Sequence, residues 1–217
     1  MKTKLLLTSL LALACVLAFG QDDDRKKPNE GDFSAEVNFN PFSSTPVNIN
    51  YLRGRYFISD LSAFRIGFAL GFQNDTPDRD VTLNTVEFNL RPGYEWHFAG
   101  TERLSPYFGF EIDYALKTSK YTNDDEDEVI KEIKGAWNTN GTERGYSRIG
   151  ANLIIGADFY VAKRLYIGTE FGYGFQKITD ADIKVTTTDN DTETLRGGSL
   201  TQMGSNFNSS LRLGFVF

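Results

Sequence analysis

Large apolar residues occupy alternate positions in eight stretches of this 217-residue chain, with polar or small residues between them. Such alternation is typical of a β-strand with one apolar and one polar face. In the clearest stretch, the apolar positions are Phe64, Ile66, Phe68, Leu70 and Phe72. The eight stretches are residues 32–40, 47–58, 62–73, 81–96, 105–118, 146–161, 164–177 and 200–217.

The lengths of these stretches and of their connections favour a barrel in a membrane. Most exceed the about 9–11 residues that a tilted strand needs to cross a bilayer. The links at residues 59–61 and 162–163 are tight, whereas residues 119–145 and 178–199 are long and polar. Outer-membrane barrels combine short periplasmic turns with longer outer loops in this way. We therefore predict an eight-stranded antiparallel up-and-down transmembrane β-barrel over residues 32–217, with both termini in the periplasm. A soluble ligand-binding barrel is the alternative fold.

The N-terminus has the pattern of a secretory signal peptide. Lys2 and Lys4 precede a mainly apolar run that is too short to span a membrane, and polar residues follow Gly20. We predict a signal peptide over residues 1–20 and a flexible periplasmic tail over residues 21–31. Cys15 also permits a lipoprotein, but the residues before it make a poor lipidation motif.

Composition narrows the function classes further. The net charge of −6 argues against binding of nucleic acid. Cys15 is the only cysteine and lies in the predicted signal peptide, which excludes disulfides and thiolate metal sites from the mature chain. Phe and Tyr are abundant, at 18 and 10 residues, and both favour strands.

The polar faces of the predicted strands contain acids and arginines in equal number. Arginine suits ion pairs in a confined space because its planar group donates several hydrogen bonds. An eight-stranded barrel is filled by its own side chains, so we predict a locked charge network that closes the lumen. The alternative is solvated pairs that only make the lumen polar. The predicted members are Glu36, Arg53, Arg55, Arg65, Glu87, Arg91, Glu111, Asp113, Arg148, Asp158, Glu170 and Arg212.

The signal peptide, the eight amphipathic stretches, the charged lumen and the terminal sequence GFVF resemble small outer-membrane barrels of the OmpA transmembrane-domain and OmpX type. Phe215 and Phe217 match the aromatic positions of the barrel-assembly signal of such proteins. The glycine stands at Gly214, however, and Arg212 occupies its usual place. The resemblance implies the outer membrane of a Gram-negative bacterium. It also implies contact with outer-membrane lipid and with the barrel-assembly machinery, and it leaves an envelope protein partner open.

Candidate chemistry is sparse, and we predict no catalytic, cofactor or metal site. His97, the single histidine, could act as a general base or join Tyr94, Trp96 and Phe98 in an interfacial aromatic girdle, which we favour. We expect no serine or threonine beside it. Related barrels that act on lipid A carry their catalytic residues at the outer end, opposite to the expected place of His97. An aspartate-based hydrolase is the remaining enzymatic alternative.

The acidic run at residues 123–128 offers oxygen ligands for calcium, but it lacks the spacing and glycine of an EF-hand. We interpret it as a solvated, mobile outer loop. Together these features predict a non-enzymatic outer-membrane barrel with a plugged lumen, two long extracellular loops and a structural or surface-binding role. The alternatives are a narrow porin-like channel and an accessory subunit of a larger outer-membrane complex.

Overall fold

A computed structural model describes residues 26–39, 47–125, 128–205 and 211–217. Within these ranges no helix is long and apolar enough to cross a membrane. The strands in chain order are β1 (Phe33–Phe39), β2 (Val47–Ser59), β3 (Ser62–Asp78), β4 (Val81–His97), β5 (Leu104–Asn123), β6 (Ile130–Lys134), β7 (Tyr146–Ala162), β8 (Leu165–Asp180), β9 (Ile183–Thr187), β10 (Thr192–Leu195), β11 (Ser199–Ser205) and β12 (Leu211–Val216).

Eight strands form a closed antiparallel ring in the order β1, β2, β3, β4, β5, β7, β8 and β12. The ring closes where β12 pairs with β1, from Ser34 opposite Val216 to Phe39 opposite Leu211. Strand β11 pairs with the second half of β8, so the predicted eighth stretch contains two strands. The predicted eight-stranded barrel is confirmed.

The alternation seen in the sequence separates the two faces of the barrel wall. Successive side chains of a strand point to opposite faces, and apolar side chains point outward on every long strand. Phe72, Leu153 and Met203 are 70–72% exposed. Soluble proteins rarely expose a continuous apolar belt, whereas a barrel in a bilayer requires one. The outer wall therefore suits contact with lipid hydrocarbon.

The two ends of the barrel differ. The turn end carries the links 60–61, 98–103 and 163–164, together with the N-terminal residues 26–32 and Phe217. The opposite end carries a small sheet, called here the outer extension, in which β6 pairs with the end of β5, β9 with β6, and β10 with β9. Sequence reasoning predicted only long polar loops here. Their described parts instead contain three strands.

The outer extension has an apolar core of its own. Ile133, Ala136, Ile183 and Val185 are buried against one another, and Tyr121 packs on them from the end of β5. These residues come from both long connections, which explains why neither connection alone showed a core. The extension therefore joins the two predicted loops into one folded unit.

The surface of the extension and the acidic run are polar. Hydrogen bonds from Lys120 and Lys134 lower the pKa of Glu132. Such exposed pairs contribute little to stability. Asn123 of the predicted mobile loop instead ends β5 and is buried, whereas residues 126 and 127 lie outside the described residues.

Residues 26–32 cross the turn end and are called here the N-terminal strap. Lys26 forms an ion pair with Glu102, which lowers the pKa of that carboxyl. Lys27 Nζ donates to the Ala99 carbonyl at 2.7 Å, and the Gly31 amide donates to the Phe57 carbonyl at 2.8 Å. The described part of the predicted tail is therefore held against the barrel. The predicted signal peptide lies outside the described residues.

Candidate functional site

The barrel lumen brings together most of the charged residues that the sequence singled out. Arg91 and Arg148 are half-buried there. Glu87 is exposed nearer the outer extension, where its carboxylate accepts a hydrogen bond from the Tyr146 hydroxyl at 2.8 Å. The buried members are Glu36, Arg53, Arg55, Arg65, Glu111, Asp113, Asp158, Glu170 and Arg212.

The buried charges nearest the turn end form a tight group, called here the inner layer. Its members are Arg55, Arg65, Arg212, Glu36, Glu95, Glu111, Asp158 and Glu170. Arg55 lies at its centre, 2.5 Å from Asp158, 2.8 Å from Glu36 and 3.1 Å from Glu95. The Arg55 guanidinium donates a hydrogen bond to Asp158, whereas Glu36 and Glu95 form ion pairs with its Nε. The inner layer therefore crosses the lumen from β2 to β7.

The other two arginines of the inner layer connect further strands. Arg65 of β3 lies 2.7 Å from Glu95 and 2.8 Å from Glu170. Arg212 of β12 lies 2.7 Å from Glu36 and 3.1 Å from Asp158. Glu36, Glu95 and Asp158 are each shared between two arginines of the layer, which makes the layer one connected network.

Two tyrosines that sequence reasoning missed complete this network. The Tyr107 hydroxyl donates to Glu170 at 2.7 Å and accepts from Arg212 at 2.7 Å. The Tyr166 hydroxyl donates to Glu36 at 2.9 Å. The Arg55 guanidinium lies 5.0 Å from the centre of the Tyr107 ring, a favourable cation–π distance. The tyrosines therefore satisfy polar atoms and also fill space between the arginines.

Glycines in the wall make room for these large side chains. A β-carbon on Gly168 would lie 2.7 Å from Arg212 Nη2, and one on Gly156 would lie 2.3 Å from the Tyr107 hydroxyl oxygen. Gly214 stands equally close to the Tyr166 ring. The inward glycines of β7, β8 and β12 are therefore required by the packing of the lumen.

His97 does not lie in the outward girdle, and that prediction is wrong. It is 6% exposed and faces the lumen, with Nδ1 3.0 Å from Ser105 Oγ and Nε2 3.2 Å from a Glu95 oxygen. Trp96 and Phe98 do face outward. Alternation along β4 puts position 97 on the same side as position 95. Because Ser105 lies within hydrogen-bond distance of His97, the expectation that no serine lies beside His97 is also wrong.

The Ser105, His97 and Glu95 side chains form a hydrogen-bonded chain, but the serine hydroxyl is enclosed. Ser105 is 5% exposed, and the Phe57 and Tyr107 rings lie 5.5 Å and 5.1 Å from the His97 ring. Glu95 is also held by arginines of the inner layer. A nucleophile needs access to its substrate, so this chain is better suited to closing the turn end.

A second group of charges, called here the outer layer, lies above the inner layer and comprises Arg53, Arg91, Arg148 and Asp113. Its contacts are longer. Asp113 lies 3.4 Å from Arg91 and 3.3 Å from Arg148. Both contacts of Arg53 with carboxylates measure 3.4 Å. These residues line a cavity of about 680 Å³ in the lumen.

Phe215 and Phe217 lie at the seam that closes the ring. Their ring centres are 5.2 Å apart, and the Phe217 amide donates to the Phe33 carbonyl at 2.7 Å. Their role as a barrel-assembly signal stays a prediction. Among the described residues, no group of three or more His, Cys, Asp or Glu side chains is placed to hold a metal ion.

A closed ring of eight antiparallel strands with an apolar outer wall and a charged lumen defines an outer-membrane β-barrel. The model of the putative OmpA-OmpF-like porin family matches residues 81–179, from the start of β4 to near the end of β8. The resemblance to small outer-membrane barrels that the sequence predicted is confirmed over this range. No curated protein matches the chain.

Several solved structures are similar to this chain at low sequence identity. The N-terminal β-barrel domain of Pseudomonas aeruginosa OprF is 15% identical, with 88% of this chain and 100% of that chain covered and a TM-score of 0.37. OprG of the same organism is 12% identical, with coverages of 89% and 99% and a TM-score of 0.43. Ail of Yersinia pestis is 12% identical, with coverages of 87% and 99% and a TM-score of 0.39.

Proposed function

We propose that this protein is a non-enzymatic outer-membrane barrel with a closed lumen, which stabilises the membrane and presents the outer extension for surface binding. The inner layer carries this proposal. Its buried arginines and carboxylates, joined at 2.5–3.1 Å, occupy the lumen where a pore would have to pass. The enclosed Ser105 supports a non-enzymatic role.

We further propose that the turn end faces the periplasm and the outer extension faces the outside. Short turns at one end and longer connections at the other support this orientation. In intact cells, Asp189→Cys should react with a membrane-impermeant maleimide because residue 189 is exposed in the link between β9 and β10. Asp60→Cys at the turn end should react only after the outer membrane is permeabilised. The reverse labelling would invert the orientation.

The same proposal predicts that the purified barrel is silent in planar-bilayer recordings. The inner layer blocks the lumen, and pairing at 2.7 Å between Arg65 and Glu95 contributes to the block. The Arg65→Ala/Glu95→Ala variant removes one buried pair without changing the net charge, and Arg79→Ala is a surface control. Silence of the wild type and the control supports the closed barrel, whatever the double variant does.

A narrow channel is the second candidate function. The cavity of about 680 Å³ favours it, because the inner layer is what separates this cavity from the turn end. Steady wild-type conductance that increases in the Arg65→Ala/Glu95→Ala variant would establish this candidate and exclude the closed barrel.

We also propose three kinds of partner. The exposed apolar belt fits outer-membrane lipid, and the aromatic C-terminus fits the barrel-assembly machinery during biogenesis. The outer extension offers a folded surface to an envelope protein, as expected for an accessory subunit. Purification in mild detergent should recover such a partner with the wild type and lose it when β9 and β10 are deleted.

A further inference from the structure

The outer layer holds its charges less tightly than the inner layer does. Charge-assisted hydrogen bonds measure about 2.7–2.9 Å, whereas every ion pair of Arg53, Arg91 and Arg148 measures 3.3 or 3.4 Å. The Nε atoms of the arginines in both layers are buried without a hydrogen bond, so the difference between the layers lies in the lengths of their ion pairs. Arg53 is only 5% exposed and still lines the cavity. The cavity is therefore bordered by arginines whose ion pairs are longer than those of the inner layer.

Charge is also unevenly divided between the two layers. The inner layer has three arginines and five carboxylates, whereas the outer layer has three arginines and the single carboxylate of Asp113. Glu111 and Glu170 also line the cavity, but Arg65 holds them at 3.1 Å and 2.8 Å. The cavity lining thus has as many carboxylates as arginines, but Asp113 is the carboxylate that both Arg91 and Arg148 contact.

We propose that this cavity binds a small soluble oxyanion, a carboxylate or phosphate group of a solute that enters from the end carrying the outer extension. Arg91 on β4 and Arg148 on β7 stand on either side of Asp113 on β5. Asp113 contacts both guanidinium groups, so its carboxylate marks the position that an incoming oxyanion would share. Planar guanidinium groups match the two oxygens of such a ligand.

The cavity has the size and orientation of donors that such a ligand needs. Small-molecule sites measure about 300–1,000 Å³, and this cavity measures about 680 Å³. The Tyr51 ring lies 5.7 Å from the Arg53 guanidinium and 5.2 Å from that of Arg91, which orients both groups. The amide side chains of Asn38, Asn152, Gln176 and Gln202 also line the cavity and can bind the rest of a polar solute.

The proposal is tested by NMR on the full protein in neutral-lipid nanodiscs with arginine labelled at Nε. Citrate and inorganic phosphate are the probes, and sodium chloride at equal ionic strength is the control. The Nε–H signals of Arg53, Arg91 and Arg148 should shift and saturate, whereas those of Arg55 and Arg212 should stay fixed. Shifts that grow linearly with concentration, or that chloride reproduces, would overturn the site.

Variants give the site a signature that folding defects cannot imitate. Arg91→Gln or Arg148→Gln should weaken citrate binding about tenfold or more, because each removes charge-assisted hydrogen bonds. Asp113→Asn should strengthen binding by a similar factor, because it removes the competing carboxylate and keeps an acceptor for Asn89, which donates to Asp113 at 2.7 Å. Arg79→Gln should change nothing. Unchanged or weaker binding by Asp113→Asn in a barrel that migrates normally on gels would contradict the proposal.

Discussion

Replacement of Arg55 by methionine should lower the free energy of unfolding by about 3–5 kcal/mol, because it leaves buried carboxylates without their shared cation. Arg55 is 1% exposed and lies within 3.1 Å of Asp158, Glu36 and Glu95. Methionine fills part of the volume of the arginine side chain. The lost charge should therefore contribute more to the change in unfolding free energy than the altered packing does. Urea-dependent unfolding in phospholipid vesicles, followed by tryptophan fluorescence and by gel migration, measures the difference.

Two further variants separate charge from packing. Arg79→Met removes an exposed arginine near the outer extension and should leave the unfolding free energy unchanged within error. Arg55→Met combined with Asp158→Asn should cost less than the sum of the single changes, because the two side chains contact each other at 2.5 Å. A loss below about 1 kcal/mol for Arg55→Met would show that the inner layer is not a cooperative network.

The alternation of residues was sufficient to predict the barrel because side-chain direction in a strand is a local property. It also placed Arg55, Arg65 and Arg212 in the lumen. Which charges meet depends on the stagger between strands that are distant in sequence, as for Arg53 and Glu170, which are 117 positions apart. No local pattern carries that information.

Glu95 and His97 were missed for a different reason. They stand in the aromatic sequence YEWHF, which directed attention to the membrane interface. The alternation already placed them on the inner face, together with Arg91 and Gly93 of the same strand. Strict application of the period of two would have added Glu95 to the network and removed His97 from the girdle.

The outer extension was hidden because its strands are short. Strand β6 reads IKEIK and β9 reads IKVTT, so each has only five residues, and the two isoleucines of β6 are three positions apart and do not alternate. Neither length could span a membrane. Their apolar core forms only when β6 and β9, from separate connections, lie side by side.

Replacement of Ile183 by aspartate should unfold the outer extension and leave the barrel folded. Ile183 is 2% exposed and packs with Ile133, Ala136 and Val185, so a buried, unpaired carboxylate would remove the small core. If the free energy of opening the extension is about 3 kcal/mol lower in the variant than in the wild type, proteolytic cleavage should be about 100-fold faster or more. Limited proteolysis in vesicles with mass spectrometry should locate new cuts in residues 128–137 and 183–195.

Lys184→Asp is the matched control, because residue 184 lies one position further along β9 and is exposed. It introduces the same aspartate side chain on the opposite face and should preserve resistance to protease. The separation from the barrel follows from strand pairing, since β6 pairs with β5 only through Lys120, Tyr121 and Thr122. Equal cleavage of both variants, or loss of the normal gel migration in Ile183→Asp, would show that the extension and the barrel unfold together.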